Sequence, residues 1–134
     1  METVLIVDDN DRYANNLKIY LDKRNIPSER AITASQGYEM FLASEYTTII
    51  SDITMETQTS GLVFIRKIFK KGFKGKIIIA TTGFDVWGVM FLGKYLLPYY
   101  GGVSWMIPKV PLKKGEVIFY PTTLTKSIDP FEIP

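Results

Sequence analysis

Asp8 and Asp9 follow directly on a short apolar run, Val4-Leu5-Ile6-Val7. A third acid, Asp52, closes a second run, Thr48-Ile49-Ile50-Ser51, and Lys109 comes after a third, Val103 to Ile107. Runs of this length and apolarity read as strands buried on both faces. Laid parallel, such strands bring the paired acids, the lone acid and the lysine to one edge of a sheet. Clustered carboxylates repel one another unless a cation joins them. A hard divalent cation prefers their oxygens, and an ammonium suits a phosphoryl anion. Thr81 and Thr82, at the exit of a fourth run from Lys76 to Ala80, add hydroxyls at the same edge. Taken singly, each residue also has an ordinary reading as a turn, a helix cap or a solvated surface group. The ordered set argues for a site.

The rest of the composition narrows the chemistry. The chain has 134 residues, 46% hydrophobic and 22% charged, which suits one domain over 1–134 with a real core. A net charge of +2 gives no strong pull toward nucleic acid or membrane, and neither is expected as a partner. The basic residues from Arg66 to Lys76 read as a solvated face around a helix end. There is no cysteine and no histidine, which excludes disulfides, thiolate metal sites, histidine bases and histidine ligands. Any phosphoryl group must then come from a partner or a small donor. Glu2 and the acids from Asp8 to Asp11 break any signal-peptide pattern, so a cytoplasmic location is expected. Val86 to Ile107 holds one charge, Lys94, and is long enough by count to span a bilayer. Pro98-Tyr99-Tyr100-Gly101-Gly102 punctuates it as a turn instead.

Strand-like and helix-like patterns alternate. Strands are expected at Thr3 to Val7, Arg30 to Ala34, Thr47 to Ser51, Lys76 to Ala80 and Val103 to Ile107. Asn10 should cap a helix with Tyr13, Leu17, Tyr20 and Leu21 on one face. Ser35 should cap a second, with Tyr38, Phe41 and Leu42 inward. A third should follow Gly61, with Leu62, Ile65, Ile68 and Phe69 as its stripe and Gly72 and Gly75 at its end. Asp85 to Leu97 looks helical but is apolar nearly all round. The alternation predicts an α/β fold with a doubly wound parallel sheet and helices on both faces. Ligands in such sheets bind beyond the carboxyl ends of the strands, where the acids and the lysine stand. Past Lys109 the pattern degrades, with Pro111, Gly115, Pro121, Pro130 and Pro134, and a final covering helix is weak or replaced.

These residues resemble a response regulator receiver domain, the phosphoacceptor module of two-component signalling, of the chemotaxis-Y-like kind. Val4-Leu5-Ile6-Val7-Asp8-Asp9-Asn10 resembles the family's first strand and acidic pair. Asp52-Ile53-Thr54-Met55, with Gly61 beyond, resembles the phosphorylated aspartate and its loop. Thr82-Gly83-Phe84 resembles the hydroxyl-bearing switch position, and Ile107-Pro108-Lys109 the approach to the lysine. The match runs in order from Met1 to about Lys109. Several positions depart from the family pattern. Glu56 stands where a proline is usual, the glycine comes one residue late, and Thr81 competes with Thr82 for the switch. The interval from Thr82 to Lys109 is long, Val110 precedes Pro111 after the lysine, and Met106 holds the aromatic switch position with Trp105 beside it.

The resemblance implies a flavodoxin-like five-stranded sheet of order 2-1-3-4-5 and a division of labour. Asp52 is the phosphoacceptor, as aspartate is in enzymes with an aspartyl-phosphate intermediate. Asp9 and Asp52 hold Mg²⁺ or Mn²⁺ directly, Asp8 through water, and Thr54 through its backbone carbonyl. Lys109 pairs with the phosphoryl oxygens, and Thr82 (or Thr81) bonds to the group once it is present. The implied partner is a sensor histidine kinase or a phosphotransfer protein. The chain is then a phosphoacceptor rather than an enzyme, with self-catalysed phosphotransfer and autodephosphorylation.

Two other readings compete. One is a degenerate receiver that binds partners without phosphorylation. The other is a haloacid-dehalogenase-like phosphatase, suggested by the acid-x-acid spacing of Asp9-Asn10-Asp11 but lacking a late acidic pair. A dinucleotide-binding fold is disfavoured, since no glycine-rich turn follows the first strand. Val86 to Tyr100, with the segment after Lys109, is more apolar than a covering helix needs. A partner or homodimer face over 86–134 is expected there, unless the proline-rich tail folds back over it.

Overall fold

The computed structural model describes residues 2–53, 60–81, 102–121 and 130–131, with Thr81 described by its backbone only. Its elements are β1 (Val4–Val7), α1 (Asp11–Asp22), β2 (Ser28–Ala31), α2 (Ala34–Ala43), β3 (Thr48–Asp52), α3 (Ser60–Lys70), β4 (Lys76–Thr81), β5 (Val103–Pro108), α4 (Lys109–Lys113) and β6 (Tyr120–Pro121). The sheet order is β2-β1-β3-β4-β5-β6. All neighbours are parallel except β5 and β6. The expected five-stranded order therefore holds, and the C-terminal segment adds a sixth, antiparallel edge strand.

Strand alternation divides the core into two layers. Leu5, Val7, Ile49, Ile77, Ile79 and Met106 point to the face covered by α2 and α3. Val4, Ile6, Ile50, Ile78, Ala80 and Ile107 point to the face covered by α1 and α4. β1 and β3 are buried along their whole length, which is why their sequences show no polar alternation.

Four sequence expectations shift for tertiary reasons. β2 runs from Ser28 to Ala31, not from Arg30 to Ala34, because its four residues match the four of β1. Thr33 is removed from the strand by its role as cap of α2, where its Oγ1 accepts the Gln36 N–H at 3.0 Å. Ser35 is therefore not the cap. In α2 the contact with β1 is made by Gly37, where a Cβ would lie 2.9 Å from Val7 Cγ2. Leu42, five residues on, is rotated by roughly 140° from that contact at 3.6 residues per turn, and it is 59% exposed rather than inward. In α3 the buried stripe is Gly61, Phe64, Ile65 and Ile68. Phe69 falls beside the stripe and lies against Gly102, where a Cβ would come 2.5 Å from its ring.

After Lys109 the described residues form a short helix and an edge strand. α4 is one short turn of five residues, ended at Gly115 with φ +90. The chain then returns in extended form to pair Tyr120 with Met106 and Pro121 with Trp105. Phe119 fills the α1 side, with Tyr20 and Phe131 ring centroids each 5.6 Å away. Asn16 on α1 fixes the start of this strap by donating to the Leu112 carbonyl at 2.7 Å. No helix among the described residues is long and apolar enough to cross a membrane. Residues 86–101, 122–129 and 132–134 of the expected association face lie outside the described residues.

Candidate phosphoacceptor and cation site

Sheet register assembles the site. Val7 pairs with Ser51, Asp52 with Ala80 and Thr81 with Pro108. The residues that come next, or that close those strands, are Asp8, Asp52 and Lys109. They meet at the carboxyl ends of β1, β3 and β5, as such sheets require. Asp8 and Asp52 keep only 1% and 3% of their surface, and Lys109 keeps 8%. Asp9 is exposed beside them.

Asp8, Asp9 and Asp52 each offer a carboxylate oxygen, and these oxygens lie within 4.8 Å of one another. Lys109 Nζ is 2.5 Å from Asp52 Oδ1 and 4.9 Å from the centre of the Tyr13 ring. The lysine thus balances one charge of the cluster and rests on an aromatic face. Asp8 Oδ1 accepts the Asn10 N–H at 2.9 Å. Its Oδ2 is buried and has no hydrogen-bond partner among the described residues. An orphaned carboxylate oxygen is costly unless something else satisfies it. Burial, and the charges of Asp52 and Asp9, outweigh the Asn10 N–H bond and the Lys109 charge and push the Asp8 carboxyl up to about 6. A divalent cation among these oxygens would resolve both features. The donor set is all oxygen, which fits Mg²⁺ or Mn²⁺ and no thiophilic ion.

Three supporting contacts were not legible in the sequence. Arg30 grips the Asp8 carbonyl through Nε and Nη2 at 3.1 and 2.9 Å, and the Asp11 carboxylate through Nη1 at 2.7 Å. This fork fixes the acidic loop from β2. Ser51 Oγ donates to the Asp52 carbonyl at 2.9 Å. Gly61 packs so closely on that carbonyl that an added Cβ would lie 1.8 Å from its oxygen. The Gly61 N–H also donates to the Ile53 carbonyl at 2.9 Å. α3 is therefore anchored directly on the backbone of the acid. An arginine within a short strand, or a glycine nine residues after an aspartate, carries no signal for such contacts.

Asp8, Asp9, Asp52 and Lys109 are thus brought together as the sequence suggested. Thr54 and Thr82 lie outside the described residues, and the same holds for the side chain of Thr81.

The arrangement is that of a receiver fold, a parallel α/β sheet with an acidic pocket at its carboxyl edge. The sequence matches the response regulator receiver domain family over residues 4–86, more than half of the chain, and the protein belongs to that family. Among solved structures it is similar to the chemotaxis response regulator CheY4 of Vibrio cholerae. That likeness has a TM-score of 0.70 at 20% identity and covers 86% of this chain and 92% of that one. It is also similar to the response regulator TrrA of Thermotoga maritima, solved in complex with Mg²⁺-BeF. Here the TM-score is 0.64 at 23% identity, over 87% of this chain and all (100%) of that one. A third is a Francisella response regulator receiver domain, with a TM-score of 0.69 at 18% identity over 82% and 85% of the two chains. At these identities the likeness is one of fold. No curated protein matches the sequence.

Proposed function

We propose that the protein receives a phosphoryl group on Asp52 from a partner histidine kinase or phosphotransfer protein, in a Mg²⁺-dependent reaction in the cytoplasm, and passes the signal on by protein contact. The observation that carries this is a buried Asp52 paired with Lys109, beside an Asp8 whose second oxygen has no partner among the described residues. One carboxylate oxygen of Asp52 forms the new P–O bond as the P–N bond of the donor breaks, and the released imidazole takes its proton from water. Lys109, paired with Asp52 before transfer, would then pair with the phosphoryl oxygens. Asp8 and Asp9 would hold the cation together with Asp52 and the Thr54 carbonyl. When bound, Mg²⁺ neutralises charge on the transferring group. Thr82, or Thr81, would bond to the group after transfer. The protein is a phosphoacceptor rather than an enzyme with its own turnover, and nothing in the comparisons supports the phosphatase reading.

A second reading, binding without phosphorylation, gains some support from the C-terminal strap, since Met106 stands under Tyr120 of β6 where the family carries its aromatic switch. Intact mass after treatment with acetyl phosphate and Mg²⁺ separates the two. One acid-stable, base-labile adduct on the wild type and none on Asp52→Asn supports phosphoacceptance. An adduct on both proteins, or on neither, overturns it.

A further inference from the structure

At the amino ends of β1, β3 and β4, at the far end of the sheet from the acids, a hollow of about 620 Å³ opens between the end of α2 and the turn after α3. Phe41, Tyr46 and Phe73 supply aromatic surface, and Lys74 and Glu45 also line the hollow. Phe41 and Phe73 meet edge to face with centroids 5.7 Å apart. The Tyr46 hydroxyl already donates to Glu29 at 2.8 Å, so the tyrosine offers its ring rather than a polar atom. Gly75 lets the turn after α3 pack closely on the start of β3. A Cβ there would lie 2.2 Å from the Thr47 carbonyl oxygen and 2.4 Å from Phe73 Cζ.

The wall formed by α3 and its turn is strongly basic. Between Thr57 and Phe84 the chain carries Arg66, Lys67, Lys70, Lys71, Lys74 and Lys76 and no acid at all. Lys67, Lys70, Lys71 and Lys74 are exposed, and Phe69 on the same turn is 39% exposed. Lysines in the last turn, such as Lys67 and Lys70, complement the helix dipole, but the exposed cations continue past the helix end through Lys71 and Lys74. Lys76 is paired with Glu2 at 3.5 Å, but the exposed lysines Lys70, Lys71 and Lys74 beside an aromatic recess are an electrostatic footprint for an anionic partner.

We infer that this end of the sheet is a docking groove for an acidic peptide segment of a partner protein, which seats one aromatic or large aliphatic side chain in the hollow and lays its carboxylates along the α3 turn. The shape selects among anionic partners. A lipid surface takes apolar groups that protrude into it, whereas here the rings line a recess, which suits a single anchoring side chain. A nucleic-acid strand needs a continuous cationic track for its phosphates, whereas the lining of this hollow includes Glu45 as well as Lys74. The groove lies at the far end of the sheet from Asp52 and does not depend on the phosphoacceptor reading.

The test uses the full chain and a displayed library of short random peptides. Selected peptides should be rich in Asp and Glu around one Phe, Trp or Leu. Lys70→Glu with Lys71→Glu and Lys74→Glu should weaken a selected peptide by at least about tenfold, on the order of 1.4 kcal/mol. Ser44→Trp, which fills the hollow and leaves the lysines in place, should abolish the preference for the anchored peptide over its alanine version. Both variants should keep the wild-type circular dichroism and thermal unfolding. Oligothymidylate and phosphatidylserine vesicles serve as competitors. Three results would overturn the inference: no acidic enrichment, undiminished peptide binding by the charge-reversed protein, or preference of the wild type for the oligonucleotide or the vesicles.

Discussion

Lys109 Nζ lies 2.5 Å from Asp52 Oδ1, and both side chains are almost fully withdrawn from water. The two residues belong to β3 and to the first turn of α4, and β4 lies between their strands. The pair therefore ties the end of β3 to the point where the C-terminal strap departs. Removing one partner of a buried ion pair costs more than the pair contributes, because a charge is left behind. Lys109→Ala should destabilise the protein in EDTA by roughly 3 kcal/mol, and excess Mg²⁺ should restore part of that loss by replacing the cation. Urea denaturation with and without Mg²⁺ reads both effects. Wild-type stability of the variant in EDTA would contradict the pairing.

Asp8 gives the metal-free protein a pH dependence of defined sign. Its carboxyl keeps its proton up to about 6 in the folded state, against 3.8 when unfolded. Between those values the folded state binds more protons, so stability falls as pH rises through the window and levels off above it. The full span is on the order of 3 kcal/mol. Asp8→Asn should flatten this slope and make the protein in EDTA more stable than wild type at neutral pH. Stabilisation by Mg²⁺ should run the other way, growing as Asp8 ionises. Chemical denaturation across pH, with EDTA and with excess Mg²⁺, measures both slopes.

Gly61→Ala adds no charge and removes none, yet its Cβ would collide with the Asp52 carbonyl oxygen. The clash is with backbone, so α3 or the end of β3 must move. A loss of about 3 kcal/mol is expected, at the upper end for overpacking. Phosphorylation by acetyl phosphate should slow as well. Thermal unfolding and adduct formation at wild-type rates would show that the helix start is free to shift.

Phe119 anchors the strap by burial, being 2% exposed between Tyr20 and Phe131. Phe119→Ala should cost about 3–5 kcal/mol. It should also release β6, so that hydrogen exchange speeds up at Trp105 and Met106 before the rest of the sheet. Uniform exchange along β5 in the variant would mean that β6 holds by its own ladder.

The sequence by itself determined the local pieces. Period and apolar runs located β1, β3, β4 and β5 to within a residue, because strands buried on both faces leave no polar alternation. Asn10 announced its helix, and it accepts the N–H groups of Arg12 and Tyr13. The acids and the lysine stood at strand exits, which is a one-dimensional fact. Tertiary structure decided what those exits meet. Register set Asp52 beside Lys109 and left one oxygen of Asp8 without a partner among the described residues. It also trimmed β2 to the length of β1 and turned Leu42 and Phe69 off their expected faces. Tyr120 and Pro121 became an antiparallel strand only because β5 offered a free edge. Backbone pairing and close approach link residues far apart in the chain, and no pattern within a single segment encodes its partner.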